Sequence, residues 1–198
     1  MTFDQIRAVL VNKTVGIAGC GGLGSNCAVA LARVGIGTLI LADFDRVSED
    51  NLNRQYYFRD QVGKKKTAAL TENIFRINPA VRVIAHDLRL NRENLIPLFN
   101  PCDIIVEAFD LADQKEMLIE TILTEMPGKP LVVGLGMAGW GMNDNIHCRQ
   151  VDSMIICGDE VSEIAPDHPP IAPRVGIVAN MQANAVLEIL LGSSEAEK

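Results

Sequence analysis

Cationic excess is missing from this sequence: 18 Lys and Arg stand against 25 Asp and Glu, for a formal net charge of −7. That excludes a broad electrostatic footprint on DNA or RNA, so any cation that grips phosphate must act locally. No apolar run reaches the roughly 18 residues that a membrane-spanning helix needs. The N-terminus, Met1-Thr2-Phe3-Asp4-Gln5-Ile6-Arg7, lacks the basic-then-apolar layout of a secretory leader. The expectation is a soluble, cytoplasmic protein with neither a membrane nor a nucleic acid as partner. Cysteines are few and scattered: Cys20, Cys27, Cys102, Cys148 and Cys157 include no C-x-x-C pair. A disulfide framework and a four-cysteine zinc site are therefore not supported. Most of the five are read as buried thiols, with Cys20 and Cys27 filling small spaces beside a glycine turn. His86, His147 and His168 have no metal-ligand spacing among themselves.

What is present is ordinary globular composition, 48% hydrophobic and 22% charged over 198 residues, enough for a large core. The length predicts one domain over residues 1–198, with a frayed polar tail at 193–198. A short helix (about 3–11) leads into a strand at Thr14–Ala18, a glycine turn, and a helix at Ser25–Val34 that Gly35 and Gly37 end. Thr38–Ala42 is a continuous apolar run, as expected of a parallel strand covered on both faces. A polar loop through Tyr57 precedes a helix near Lys64–Ile77, stopped by Asn78-Pro79. Strands at Val81–Ala85, Asp103–Val106 and Pro130–Gly134 then alternate with helices at Arg92–Phe99 and Leu111–Glu125. This alternation predicts an α/β fold, Rossmann-like and doubly wound, on a mainly parallel sheet. Beyond Gly134 the pattern changes. Ile146–Val151 and Ser153–Cys157 suggest an antiparallel C-terminal extension turning at Asp152. Residues 158–173 form a proline- and acid-rich loop, and a final amphipathic helix spans about Arg174–Leu191.

The run Gly19-Cys20-Gly21-Gly22-Leu23-Gly24-Ser25 sits between strand and helix. There Gly19 allows the bend, Gly21 lets backbone approach phosphate, and Gly24 lets helix and strand pack closely. The helix start offers unpaired N–H groups and about half a unit of positive charge. Asp43, at the end of the second strand, is placed to accept hydrogen bonds from both ribose hydroxyls. Together these predict nucleotide binding at Gly19, Gly21, Gly22, Gly24 and Asp43. Which nucleotide depends on Asn51, Arg54, Gln55, Lys66 and Asp110. A plain hydride-transfer site has no use for an arginine and a lysine near phosphates.

Five motifs carry a resemblance: Gly19–Ser25, Asp43-Phe44-Asp45-Arg46-Val47, Asn51-Leu52-Asn53-Arg54-Gln55, Gly63-Lys64-Lys65-Lys66 and Ile77-Asn78-Pro79. In this order and spacing, over about residues 12–192, they resemble the ThiF/MoeB/HesA family, bacterial relatives of the ubiquitin-activating enzyme. Within it the chain is most similar to the short-form members that adenylate the sulfur carrier protein ThiS. The resemblance implies that Arg54 and Lys66 hold the β- and γ-phosphates of ATP and that Asp110 holds Mg²⁺. It implies that Asn51 and Gln55 orient phosphate or the incoming carboxylate, while Asp45 supports the same loop through Arg54. Two readings of Asp110 stand side by side, the metal ligand and an N-cap for the helix beginning near Leu111.

The implied reaction is adenylation of the C-terminal glycine carboxylate of a small ubiquitin-like, ThiS-like sulfur carrier, with release of pyrophosphate, in thiamine thiazole synthesis. Gly134–Gly141, with Trp140 and Met142, is expected to line the carrier's tail, and residues 158–173 to cross over it. The chain departs from its relatives in two ways. Zinc is not expected, because only Cys157 stands near the first cysteine pair of zinc-bearing members. A covalent link to the carrier is not expected either, because residues 158–173 contain no cysteine. A homodimer is implied, with Arg7 as the sole N-terminal arginine able to reach a partner's ATP. Competing readings are adenylation of a molybdopterin-type carrier or a peptide, a tRNA-modifying dehydratase of the same superfamily that the acidic balance disfavours, a NAD- or FAD-dependent oxidoreductase resting on the glycine turn and Asp43, and a silent binding module.

Overall fold

The computed structural model describes residues 1–192, so the predicted tail at 193–198 lies outside the described residues. Helix α1 (Phe3–Leu10) starts on a reciprocal cap: the Gln5 N–H donates to the Thr2 hydroxyl at 3.3 Å, and the Thr2 N–H donates to Gln5 Oε1 at 2.7 Å. The chain then lays down β1 (Thr14–Ala18), α2 (Gly22–Val34), β2 (Thr38–Asp43), α3 (Lys66–Ile77), β3 (Arg82–Asp87) and α4 (Arg92–Phe99). β4 (Ile104–Glu107), α5 (Ala112–Glu125), β5 (Leu131–Gly134), β6 (His147–Val151), β7 (Met154–Gly158) and α6 (Ala172–Leu191) follow. The seven strands form one sheet in the order β3-β2-β1-β4-β5-β7-β6.

Every neighbouring pair is parallel except β6 with β7. The expected antiparallel extension is thus a single reversed edge strand, turned at Asp152, whose φ of 52° is left-handed. Because side chains alternate across a strand, the apolar runs feed two cores. Leu39, Leu41, Ile104 and Val106 face α1, α2, α3 and α6, through Leu10, Leu31, Ile74 and Val178. Ile40, Ile105, Leu131 and Val133 face α4 and α5, through Phe99, Leu118 and Ile122. The doubly wound α/β fold is as expected.

The boundaries shift in instructive places. α2 begins at Gly22 rather than Ser25, because tertiary packing overrides the low helix propensity of its glycines. α3 begins at Lys66, which leaves Lys64 and Lys65 outside it. The polar loop before it holds two 3₁₀ turns, Glu49–Asn53 and Arg59–Gln61. α5 has Leu111 in the cap position, so Asp110 precedes the cap and is not the N-cap that one reading gave it.

Candidate active site

The sequence between β1 and α2 must turn sharply within reach of β4. Gly19 does so at φ +95°, and a Cβ there would lie 2.8 Å from the Ala108 carbonyl oxygen. Gly24 is tighter, since a Cβ would fall 1.9 Å from the Gly19 carbonyl oxygen. This is the close helix–strand approach expected of that glycine. α2 is capped by Gly21 with no side-chain bond, which leaves first-turn N–H groups open toward the cleft. Asp43 closes β2 with both carboxylate oxygens engaged: Cys20 N–H donates at 2.6 Å and Asp45 N–H at 2.7 Å. Burial lifts its pKa above the usual carboxylate value, against the pull of Lys66 and the two N–H donors.

These residues open onto a cleft of about 540 Å³ at the carboxyl ends of the strands. It lies where the order reverses between β1 and β4, the position at which open α/β sheets take ligands. Gly19, Gly21, Gly22, Asp43, Asp45, Arg54, Gln55, Lys66 and Asp110 all line it. Gly24 and Asn51 do not. Gly24 lies behind the turn, while Asn51 shapes the 3₁₀ turn that presents Arg54 and Gln55. Its side-chain oxygen accepts from Ser48 N–H at 3.1 Å, and its carbonyl accepts from Arg54 N–H at 3.2 Å and Gln55 N–H at 2.9 Å. Gln55 is buried, and its Oε1 has no partner.

The two cations differ. Lys66, the first residue of α3, is buried and bonds Asp45 at 2.6 Å. Arg54 donates only to uncharged acceptors, the Asp50 carbonyl at 3.2 Å and Asn53 Oδ1 at 2.8 Å. The expectation that Asp45 acts through Arg54 is therefore corrected: Asp45 sits across from the start of α3 and takes Lys66. Of the three-lysine run, Lys64 pairs with Glu72 and Lys65 with Asp87, both at the surface, so Lys66 alone lines the cleft. Asp110 is exposed just past β4 and has no ion pair among the described residues.

Beneath Asp110 lies a pair that sequence reasoning missed. Glu107, fully buried, accepts from the Lys115 ammonium and from Phe109 N–H at 2.7 Å, and Lys115 also donates to the Gly134 carbonyl at 2.9 Å. Burial raises the Glu107 pKa against the Lys115 charge. The signal was there, a lone acid in an apolar strand with a lysine in the first turn of the next helix.

A second missed pair holds the far wall. Arg174, in the first turn of α6, bonds the Asp159 carboxylate and donates to the Gly141 carbonyl at 2.5 Å. Asp159 also receives the Val161 and Ser162 N–H groups at 3.0 and 2.8 Å and the Ser162 hydroxyl. Burial alone would raise its pKa, but these donors and Arg174 bring it down to about 2. Gly139 N–H donates to the Pro169 carbonyl at 3.0 Å, lacing loop 158–173 onto the glycine-rich stretch. Met137, Ile164, Pro170 and Val175 bring this wall to the cleft. Trp140 and Met142 are exposed and stand outside the lining.

Other expected residues lie elsewhere. Arg7 stacks its guanidinium 5.1 Å over the Phe3 ring and packs beside Gly35. His86 lies within β3. Four cysteines are buried, with Cys148 the exposed one. No cluster of three or more His, Cys, Asp or Glu side chains suited to a metal occurs among the described residues.

Comparison with known proteins adds to this geometry. The ThiF family model matches residues 3–198. The adenylyltransferase and sulfurtransferase MOCS3 of Caenorhabditis briggsae is 30% identical over 187 residues, covering 91% of this chain and 46% of that protein. The sulfur carrier protein adenylyltransferase of Thermus thermophilus is 33% identical over 126 residues, or 63% of this chain and 46% of that one. The chain therefore spans about half the length of these relatives. Among solved structures, E. coli tRNA N6-threonylcarbamoyladenosine dehydratase, TcdA, in complex with ATP superposes with a TM-score of 0.84 at 22% identity. It covers 98% of this chain and 92% of that one, a likeness of fold.

Proposed function

This chain belongs to the ThiF family, and from that premise we propose that it adenylates the C-terminal carboxylate of a small ubiquitin-like sulfur carrier protein, consuming ATP and releasing pyrophosphate. The carrier is ThiS-like, and the step serves thiamine thiazole synthesis. The protein works in the cytoplasm as one adenylation domain over residues 1–198, paired as a homodimer. The observation that carries the reading is convergence. Arg54, Lys66 and Asp110 come from three separate segments and line one cleft with the glycine turn and Asp43. The Thermus relative's name as a sulfur carrier protein adenylyltransferase supports the class of partner.

The chemistry asks little beyond placement and charge. A C-terminal carboxylate is ionised at neutral pH, so its attack on the α-phosphorus needs no general base. The protein must bring two anions together and neutralise the charge that builds on the leaving pyrophosphate. Arg54 suits the far phosphates, because its fork can hold two oxygens at once and no carboxylate occupies it. Lys66 reaches the same end by exchanging Asp45 for phosphate, or by sharing itself between them. Gly21 faces open space, with only Gln55 Nε2 within 4 Å of an added Cβ, which suits backbone N–H groups aimed at phosphate. Asp43 presents its remaining lone pairs to the ribose.

Magnesium fits Asp110, an exposed carboxylate in the cleft with no ion pair among the described residues, since Mg²⁺ takes one or two carboxylates plus phosphate oxygens. When bound it would supply positive charge against the phosphates held by Arg54 and Lys66. Gln55, buried with an unpartnered oxygen, is left to orient a donor on the nucleotide or the incoming tail. Gly134–Gly141 and the loop held by Arg174 form the path of that tail.

Carrier-dependent exchange of labelled pyrophosphate into ATP tests the proposal. Label should enter ATP only when a carrier with a free C-terminus is present. Exchange without carrier, or its absence with every ubiquitin-like carrier offered, would overturn it. A molybdopterin-type carrier driving exchange while ThiS does not would replace the thiamine assignment.

A further inference from the structure

The β6–β7 hairpin sets Cys148 directly opposite Cys157, with the two sulfurs 3.3 Å apart. Directly opposed residues on antiparallel strands have Cα atoms about 4.5–5.5 Å apart, inside the window of about 4.4–6.8 Å that a disulfide spans. A bond of about 2.05 Å then requires only a small inward shift of the sulfurs. β6 is free to give that shift, because among the described residues it is the edge strand and pairs with β7 alone. One partner is reachable and the other protected. Cys148 is exposed and borders a groove of about 640 Å³ beside Ile177 and Met181 of α6, whereas Cys157 is fully buried.

From this geometry we propose that Cys148 and Cys157 form a redox couple, closed to an intramolecular disulfide by a hydroperoxide such as hydrogen peroxide and reopened by thiols. The Cys148 sulfur attacks one peroxide oxygen, the O–O bond breaks, and hydroxide leaves to become water as Cys148 becomes a sulfenic acid. The Cys157 sulfur then attacks the Cys148 sulfur and gives up its proton to the departing hydroxide, forming a second water. Two thiols lose two electrons, and the peroxide takes them. The acid–base balance suits these roles. The hydrogen bond from the Cys157 thiol brings the Cys148 pKa down to about 7 against its partial burial, while that same bond and burial push Cys157 up. Burial holds the thiols of Cys20, Cys27 and Cys102 up, so they compete poorly for oxidant. The inference stands apart from the nucleotide cleft, none of whose lining residues it uses.

The test treats the full chain with graded hydrogen peroxide, alkylates the remaining thiols after unfolding, and maps them by mass spectrometry. The expected result is a monomer lighter by two hydrogens, with Cys148 linked to Cys157. Two of the five thiols are lost, and dithiothreitol restores both. Cys148→Ser should lose no thiol at that dose. Cys157→Ala should stop at a sulfenic acid on Cys148 that dimedone traps, and because Cys157 is buried, Cys157→Val provides a second variant if alanine unfolds the protein. A covalent dimer, a bond between Cys157 and Cys27, a lasting sulfenic acid on the unaltered chain, or five surviving thiols would each overturn the proposal.

Discussion

The two walls of the cleft are built by different means. The wall from β1 to α3 is set by backbone: Gly24 packs against the Gly19 carbonyl, two N–H groups fix Asp43, and a 3₁₀ turn presents Arg54. The wall from β5 to α6 hangs on side chains, chiefly Arg174 holding Asp159 and the Gly141 carbonyl. A backbone wall cannot open without breaking the sheet, which suits a ligand that is the same at every turnover. A wall held by one arginine can release and close again, which suits a route for another protein's tail.

The largest way to break this contrast is Gly24→Val on the backbone wall. With Gly19 in the way, the substitution should cost about 3 kcal/mol or more and leave little folded protein, read by circular dichroism and thermal melting. On the other wall, Arg174→Leu strands a buried Asp159 carboxylate and should cost about 3–5 kcal/mol in denaturant unfolding. Replacing both partners, as Asp159→Leu with Arg174→Leu, should recover part of that loss. Arg54→Ala comes next. It removes no buried pair, so the melting midpoint should hold while pyrophosphate exchange falls roughly a hundredfold or more.

Acid sharpens the comparison further. Asp159 in the folded chain titrates at about 2, below its ordinary 3.8. The stabilisation from its ionised form is complete above about pH 4 and is lost as pH falls toward 2. The gap in melting midpoint between the wild type and Asp159→Asn should therefore shrink over that window. Glu107 and Asp43 are shifted upward, so their titration pulls the opposite way. Smallest of all, Trp140→Ala on the exposed glycine stretch should raise KM for the carrier several-fold and leave KM for ATP unchanged.

What could be read in advance follows from how local each signal is. Thr38–Ala42 announced a doubly covered strand because its four successive apolar residues, Leu39 to Ala42, leave no solvent face. Lys66 was singled out from its neighbours through the family resemblance, because the helix was read as starting near Lys64 and its first position emerged only in the structure. Reversal at Asp152 was legible too, but the register that sets Cys148 opposite Cys157 came only with the structure, because it depends on where the turn is centred. The start of α2 was misjudged because glycine's poor helix propensity is a local rule, and Gly24 answers to a contact with Gly19. Asp45 with Lys66 and Asp159 with Arg174 were hidden because each pair meets only once the chain has folded, whereas Glu107 with Lys115 left a readable but unread signal.

The central claim is that Arg54 and Lys66 grip the far phosphates, and comparing ATP with AMP affinity in magnesium buffer tests it most directly. By titration calorimetry the wild type should bind ATP much more tightly than AMP. Arg54→Ala should cut that ratio at least about tenfold, or about 1.4 kcal/mol, while leaving AMP affinity where it was. A variant that keeps the full ratio, or loses ATP and AMP affinity equally, would contradict the account.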